Sequence, residues 1–496
     1  MIYFAKMIFH LLIYNLILQI ALSEPNNYSF PENFIFGVAT ASYQIEGGWN
    51  EGGRTESTWD YQLHKNPDLI VDKSNGDVAC DSYHKWKEDV QLIKNLGVNF
   101  YRFSISWSRI LPQGFKGSEI NQEGVTYYND LIDELVSKGI EPYVTIFHWD
   151  TPQALESQGG WLNESIIDDY TYYARVLFTL YGDRVKTWIT FNEFHQICEE
   201  GYGLAKKAPF ENLTGVADYQ CGHQALLAHS RAYRIYEQEF KPIQGGNVGV
   251  VIDSVYGAPK TDSELDKNAA ELQMQFDFGW FFNPIVYGNY PQVMIDRIDE
   301  LSKREGYNTS RLPKFSDNEI ETMKGSFDFL GLNHYTTNLC TLIGSNNFPN
   351  PSHARDCSVE TSADPSWKPS AASWLWYVPW GMRDVLVWIK EHYNNPPVLI
   401  TENGWATRGK RLNDTDRIEY IQNYLSEVLK AIYEDNCNVL GYTAWSLMDN
   451  FEWTRGYTEK FGLVHVDFND PNRTRTPRQS YSFYQEIVRT RRLVNK

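Results

Sequence analysis

The sequence lacks the motifs of several large enzyme classes. It contains no H-E-x-x-H zinc motif, no G-x-S-x-G nucleophile elbow, no P-loop and no G-x-G-x-x-G dinucleotide fingerprint. Its 11 histidines form no cluster with the spacing of metal ligands. We therefore expect neither a metal site nor a cofactor.

Excess positive charge is also missing. The chain has 45 lysines and arginines against 63 acidic residues, a net charge of −18. Nucleic acids and anionic membrane surfaces attract basic proteins, so this balance argues against both partners. No run outside the N-terminus approaches the 18 or so apolar residues of a membrane span, and we expect no membrane association of the mature chain.

The N-terminus has the features of a secretory signal. Lys6 precedes an apolar stretch, and Ala21-Leu22-Ser23 resembles a cleavage site, which predicts a signal peptide over residues 1–23. We expect a secreted protein, extracellular or in a gut lumen. Six N-x-[ST] sequons fit this route: Asn27, Asn163, Asn212, Asn308, Asn413 and Asn472.

Cysteine is scarce, with six residues in 496. Six cysteines allow fifteen full pairings, which sequence alone does not decide. Cys198 with Cys221 and Cys340 with Cys357 are the pairs that would each close a short segment. Cys80 and Cys437 are expected to be free and buried. The oligomeric state cannot be predicted.

Apolar runs that end in polar or aromatic residues recur along the chain. Continuous apolar character is typical of strands buried on both faces of a parallel sheet. Eight such runs are predicted as strands, at residues 34–44, 99–106, 142–149, 185–193, 248–254, 327–335, 397–403 and 439–446.

Helical patterns lie between these runs, as in 128–139 and 416–435. Eight strand–helix alternations predict an α/β protein with a single (β/α)8 TIM barrel over residues 24–496. The interior of such a barrel is packed, and its active site lies at the C-terminal ends of the strands.

Two of the predicted strands end in a carboxylic acid. Glu193 closes "TWITFNE" on the fourth strand, and Glu402 lies in "VLITEN" on the seventh. Acids on these strands face each other across the barrel mouth. Two carboxylates that flank a pocket are the catalytic groups of most glycoside hydrolases. Arg102, at the end of the second strand, is expected to keep Glu402 ionised.

Other strand ends carry residues that suit a sugar. Hydroxyl groups need donors and acceptors, and the apolar face of a sugar needs an aromatic ring. These requirements are met by Gln44, His148, Trp149, Asn192, Tyr335 and Trp445.

The chain resembles family 1 glycoside hydrolases, the β-glucosidases, from about Phe30 to Arg489. The motifs that carry the resemblance are "FIFGVATASYQIEGG", "YRFSISWSRI", "IFHWDTPQAL", "TFNE", "GLNHY", "ITENGW" and "AWSLMDNFEW". The sequons and the N-terminal signal resemble the secreted animal branch of the family. The resemblance implies a retaining β-glucosidase that cleaves terminal β-D-glucosides through a covalent glucosyl-enzyme.

The resemblance also implies roles for residues. Glu193 would be the general acid/base and Glu402 the nucleophile. Glucose would be bound by Gln44, His148, Asn192, Tyr335, Trp445, Glu452 and Trp453, with support from Arg102, Asn333 and Trp149, while Trp374 and Phe194 would lie on the aglycone side.

Two departures from the family pattern affect the aglycone side. Phe194 replaces the proline that usually follows "TFNE", and "GYGLAKKAPF" departs from the usual glycine-rich loop. Lys206 and Lys207 lie in this loop. They are interpreted as solvated charges or, alternatively, as contacts of an anionic aglycone.

Two alternative functions stay open at this stage. A thioglucosidase (myrosinase) would cleave sulfated S-glucosides; the presence of Glu193 favours O-glucosides, because plant thioglucosidases replace this acid with glutamine. A non-catalytic sugar-binding barrel is the second alternative.

Overall fold

A computed structural model describes residues 28–494 of the chain. Eight parallel strands form a closed barrel: β1 (Ile35–Ala39), β2 (Phe100–Ser104), β3 (Glu141–Phe147), β4 (Thr187–Asn192), β5 (Asn247–Pro259), β6 (Phe329–Leu342), β7 (Val398–Asn403) and β8 (Val439–Trp445). Each strand pairs with the next one along the chain, including β5 with β6. The ring is closed by the pairing of β8 with β1. The predicted (β/α)8 barrel is confirmed.

Helices connect the strands around the outside. The longer ones span Ser82–Leu96, Gln122–Ser137, Ser165–Tyr181, Ala217–Ile235, Glu264–Phe276, Phe278–Tyr287, Gln292–Arg304, Trp380–His392, Thr415–Tyr433 and Gln479–Thr490. Shorter helices span Ser42–Ile45, Thr58–Lys65, Trp107–Ile110, Gln153–Glu156, Phe194–Ile197, Lys241–Gln244, Asp317–Met323 and His353–Cys357. None of the described helices is long and apolar enough to cross a bilayer.

The helix Gln122–Ser137 shows how local sequence sets these boundaries. It begins six residues before the predicted start, because the Asn121 side chain accepts a hydrogen bond from the backbone of Glu123 and caps the first turn. Leu131 and Leu135 are buried on its inner face. Gly139 follows its C-terminus with φ +70°, a conformation that glycine adopts without steric cost.

The lower barrel interior is filled by apolar side chains. One cluster takes a residue from every strand: Ile35, Phe100, Tyr143, Ile189, Val251, Phe329, Leu399 and Leu440. A β-carbon on Gly37 would lie 2.2 Å from the Phe100 ring, so glycine makes room for that ring. Because the interior of a TIM barrel is packed with side chains, its polar chemistry lies at the C-terminal mouth.

Strands β5 and β6 run well past the predicted ends and pair with each other beyond the barrel as far as Pro259 and Cys340. A further short strand, Val359–Ser362, pairs antiparallel with the end of β6 and was not predicted. A second small sheet pairs Val464–Val466 with Arg475–Pro477.

One of the two expected disulfides is present. Cys198 and Cys221 are bonded, whereas Cys340 and Cys357 are free and buried, so the prediction that they pair is wrong. The register of β6 places Thr361, not Cys357, opposite Cys340. Cys80 and Cys437 are free and buried, as expected.

The predicted signal peptide, residues 1–23, and the sequon at Asn27 lie outside the described residues. Of the other sequon asparagines, Asn212, Asn308, Asn413 and Asn472 are exposed, and Asn163 is half-buried.

Candidate active site

A cavity of about 830 Å³ opens at the C-terminal mouth of the barrel. Its inner wall, as we use the term, consists of His148, Glu193, Glu402, Trp445 and Glu452. Its outer rim consists of Lys206, Lys207, Phe210, Trp374 and Arg455. The inner wall comes from strand ends and the segments directly after them, and the outer rim from longer loops.

Glu402 is held by direct contacts on the inner wall. Arg102, which is buried in β2, forms an ion pair with it at 2.6 Å from Nη1 to Oε1. The hydroxyl group of Tyr335 donates a hydrogen bond to the other carboxylate oxygen at 2.8 Å. Both oxygens therefore have donors, an arrangement that stabilises an ionised carboxylate.

Glu193 has different surroundings. The amide nitrogen of Asn333 donates a hydrogen bond to its Oε1 at 2.5 Å, and none of the described basic side chains lies within ion-pair distance. The side chain is buried. Burial and the nearby carboxylates of Asp253 and Glu402 raise the pKa of Glu193 well above its usual range.

Burial also raises the pKa of Glu402, and the Arg102 ion pair opposes that shift. Burial is the larger effect because both partners are almost completely removed from water. The two acids still differ, since the pKa of Glu193 stands further above its usual range.

A hydrogen-bond network connects the two acids. Arg102 donates to the side-chain oxygen of Asn192 at 2.5 Å, and Asn333 donates to that oxygen at 3.1 Å as well as to Glu193. Thr401 in turn donates to Asn333 at 2.7 Å. The orientations of Glu193 and Glu402 are thus coupled through amides and a guanidinium that have little freedom to rotate.

Several residues that line the cavity have left-handed backbone. Trp149, Glu193 and Trp453 have φ of +75°, +51° and +50°. Such residues cost about 1–3 kcal/mol each and concentrate at functional sites. Trp149 donates from its indole nitrogen to the backbone oxygen of Asn192 at 2.7 Å and packs on Trp453 at 4.4 Å.

Several buried polar atoms around the inner wall have no hydrogen-bond partner among the described residues. They are Oε1 of Gln44, Nδ1 of His148 and Oε1 of Glu452. Buried polar atoms in proteins are nearly always paired, so unpaired ones that converge on a cavity indicate a polar ligand. Burial, with help from Arg102 and Lys207, lowers the pKa of His148, which leaves the imidazole neutral.

The predicted site residues separate into two groups. His148, Trp149, Glu193, Asn333, Tyr335, Trp374, Glu402, Trp445, Glu452 and Trp453 line the cavity. Gln44, Arg102 and Asn192 lie directly behind it, and Gln44 donates from Nε2 to Asn450 and to the backbone of Phe451.

Phe194 does not lie where the sequence analysis places it. Its ring is 1% exposed and stacks between Phe191 at 4.9 Å and Phe281 at 5.0 Å, in the core behind Glu193. A large apolar ring gains more from this packing than from exposure at a polar cavity. Phe194 is therefore a core residue and not part of the aglycone side.

Sequence reasoning missed Asp253 and Gln196. Asp253 ends the apolar run "VGVVI" on β5, the same signal that marks Glu193 and Glu402, and it lines the cavity. Gln196 lies one helical turn after Glu193 and donates to Asp253 at 2.8 Å. Although burial raises it, the pKa of Asp253 is lowered by His195 and Gln196, so this carboxylate is a charge beside Glu193.

The comparisons with known proteins agree with this geometry. A family model described as glycosyl hydrolase family 1 matches residues 26–493. Myrosinase 1 of Brevicoryne brassicae is 51% identical over 466 residues, which cover 94% of this chain and 99% of that protein. Beta-glucosidase 12 of Oryza sativa subsp. indica is 43% identical, with 93% of this chain and 92% of that protein covered. The solved structure of an aphid myrosinase superimposes with a TM-score of 0.90 at 50% identity, over 93% of this chain and 99% of that one.

Proposed function

Because the chain belongs to glycosyl hydrolase family 1 and is a retaining glycosidase, we propose that it hydrolyses terminal β-D-glucosides with Glu402 as nucleophile and Glu193 as general acid/base. The observation that carries this assignment is the difference between the two acids. Glu402 is paired with Arg102 at 2.6 Å, whereas Glu193 has no cation at ion-pair distance among the described residues.

In the first step, the Glu402 carboxylate attacks the anomeric carbon of the glucoside. The bond to the aglycone oxygen breaks, and that oxygen takes the proton of Glu193. The raised pKa of Glu193 supports this role, because a general acid must hold its proton before the reaction. Attack by a carboxylate requires the two carboxyl groups to be about 5–5.5 Å apart.

In the second step, the glucosyl ester on Glu402 is hydrolysed. Glu193, now a carboxylate, takes a proton from a water molecule, and the resulting oxygen nucleophile attacks the anomeric carbon. Glucose leaves and Glu402 regains its charge. Arg102 and Tyr335 stabilise that returning charge, since both donate to the Glu402 oxygens in the free enzyme.

Recognition of the sugar rests on unpaired polar atoms of the inner wall and of Gln44 directly behind it. Gln44, His148 and Glu452 each present a buried polar atom without a partner, and Trp445 offers a flat apolar surface beside them. Hydroxyl groups of glucose both donate and accept hydrogen bonds, so they can satisfy all three atoms. Asn192 and Trp453 complete the proposed glucose site.

Cleavage of S-glucosides is the second candidate function. It is favoured by the 51% identity to a protein named myrosinase 1. The surroundings of Glu193 favour O-glucosides, because an alcohol leaving group needs the proton that this acid is set up to supply.

We also propose that residues 1–23 are a cleaved signal peptide, that residues 24–496 form the catalytic domain, and that the protein is a secreted glycoprotein. The support is the N-terminal sequence, four exposed sequon asparagines and the Cys198–Cys221 disulfide, a bond typical of oxidising compartments.

The test is glucose release from an aryl β-D-glucoside and from a glucosinolate, measured side by side. We expect turnover of the aryl glucoside. Glu193→Gln should lower kcat/KM by about 10²–10⁴-fold on an aglycone with a poor leaving group and by much less on a nitrophenyl glucoside. Strong preference for the glucosinolate would make the enzyme a thioglucosidase, and release from neither substrate would refute the proposed function.

A further inference from the structure

Lys207 is a basic residue of the outer rim, and its charge opposes the rise in the pKa of Glu193. Its ammonium group lies 4.2 Å from the centre of the Trp149 ring and donates a hydrogen bond to Oε1 of Gln196. The side chain is half-buried, and burial lowers the pKa of Lys207. A lysine that loses hydration in a cavity needs compensation from its surroundings.

The neighbouring lysine shows what a solvated loop charge looks like here. Lys206 is exposed and forms an ion pair with Glu200 at 3.0 Å. Among residues 28–494, Lys207 has no carboxylate within ion-pair distance, although Glu193, Glu200, Asp253 and Glu452 influence it from further away. Its direct contacts are a neutral amide and an aromatic face.

Lys207 lies between the segment that follows Glu193 and the ring of Trp149. Gln196, its hydrogen-bond partner, follows Glu193 by one helical turn. The Trp149 ring, its other contact, packs on Trp453, a proposed glucose contact. Because Glu193 is proposed to protonate the glycosidic oxygen, we expect a group attached beyond that oxygen to come close to Lys207.

The backbone around Lys207 is held in place. The amides of Lys206 and Lys207 both donate to the backbone oxygen of Glu200, and Phe210 donates to that of Lys207 at 2.7 Å. The segment begins at Cys198, which is bonded to Cys221 on the helix Ala217–Ile235. A ligand group thus meets an ammonium whose position is already set, which reduces the entropy lost on binding.

We propose that Lys207, over the ring of Trp149, forms a subsite for an anionic group on the aglycone, a carboxylate or a sulfur oxyanion. The inference rests on the proposed function, because it specifies the substrates of that same site. An oxyanion would supply the partner that Lys207 lacks, and a partly desolvated charge pair is stronger than one in water.

The test uses three phenyl β-D-glucosides that differ only in the ring substituent: a carboxamide, a carboxylate or a sulfonate. For each substrate, kcat/KM of the variant is compared with kcat/KM of the wild type, so differences in reactivity between the substrates cancel. Lys207→Met should lower kcat/KM at least tenfold on the two anionic substrates and less than threefold on the carboxamide. Lys260→Met, at an exposed lysine outside the cavity, is the matched control and should change kcat/KM on none of the three substrates. The ratio of the two anionic losses shows which oxyanion the subsite prefers.

Equal losses on all three substrates would overturn the proposal. They would show that Lys207 offsets the negative charge of the cavity's carboxylates whatever the substrate carries. Lys207→Arg, which keeps the charge, should retain the preference if Lys207→Met proves unstable. Calorimetric binding of the same glucosides to Glu402→Gln, with and without Lys207→Met, separates the two hypotheses. A tenfold charge-dependent loss of affinity, combined with a wild-type enzyme that releases glucose from none of the three substrates, would refute the proposed function and keep the subsite. No such loss of affinity would refute the subsite.

Discussion

The inner wall and the outer rim of the cavity are built in different ways. Glu193, Glu402 and Trp445 on the inner wall are 6%, 4% and 5% exposed, whereas Trp374 on the outer rim is 46% exposed. Inner-wall side chains are fixed by barrel strands and by hydrogen bonds that run from one strand to the next. The outer rim rests on loops, so it can change without disturbing the barrel.

This difference separates two properties of the enzyme. Chemistry at the anomeric carbon depends on the inner wall, where a small displacement of either acid costs much of the rate. Choice of aglycone depends on the outer rim, where each contact is partly hydrated and therefore weaker. Substitutions should consequently cause losses that decrease from the inner wall outward.

The largest effect is expected for Glu402→Gln. Removing the charge of the proposed nucleophile should lower kcat by about 10⁴-fold or more on every β-glucoside, because the proposed covalent intermediate forms on this carboxylate. Steady-state release of nitrophenol measures it. Glu300→Gln, at an exposed acid that pairs with Arg304 on a helix outside the cavity, is the control and should keep near wild-type activity. Residual activity within tenfold of wild type would move the nucleophile elsewhere.

The barrel and its two acids were predictable from sequence for a physical reason. Strands buried on both faces must be apolar, so a carboxylic acid at the end of such a run, as in "VLITEN", stands out. The same signal marks Asp253, which was overlooked because it lacks the motif context of Glu193 and Glu402.

The outer rim was much less predictable. The position of Lys207 depends on the backbone between Cys198 and Glu211. In this segment Ala205 and Phe210 have left-handed conformations, which sequence patterns predict only where glycine is present. The burial of Phe194 depends on Phe281, 87 residues further along the chain. Such contacts follow from tertiary packing, which local sequence patterns do not encode.

An intermediate effect is expected for Asp253→Asn, at the boundary between the inner wall and the outer rim. Asp253 raises the pKa of Glu193 and is, after burial, the largest cause of that shift. Asn333 and Lys207 oppose it. Removing the carboxylate should lower this pKa. A general acid must be protonated to act, so if Glu193 has the proposed role, activity is lost as pH rises through that pKa.

The basic limb of kcat/KM should therefore move to lower pH in Asp253→Asn, with less than about a tenfold loss at the optimum. Lys207→Met removes a charge of the opposite sign and should move the same limb to higher pH. The measurement is the pH profile of a neutral aryl glucoside. A limb that stays in place in both variants would show that Glu193 is electrostatically isolated from the outer rim.

The smallest effect is expected for Trp374→Ala on the outer rim. The Trp374 ring packs against Tyr335 at 5.5 Å and Phe461 at 6.5 Å, and its exposed face can cover an aryl aglycone. Aromatic contacts of this kind contribute about 0.5–1.5 kcal/mol, so kcat/KM for an aryl glucoside should fall about twofold to tenfold. The loss should lie in KM, because the ring has no part in the chemical step.

Trp380→Ala is the matched control for this substitution. Trp380 is 38% exposed, close to the 46% of Trp374, but it lies outside the cavity and packs on Trp367. It should leave KM unchanged. A methyl glucoside, which has no ring to cover, should lose nothing in Trp374→Ala. A drop in kcat on the methyl glucoside would mean that Trp374 helps to position Tyr335, and through it Glu402, so that the outer rim would reach further into the chemistry than its exposure indicates.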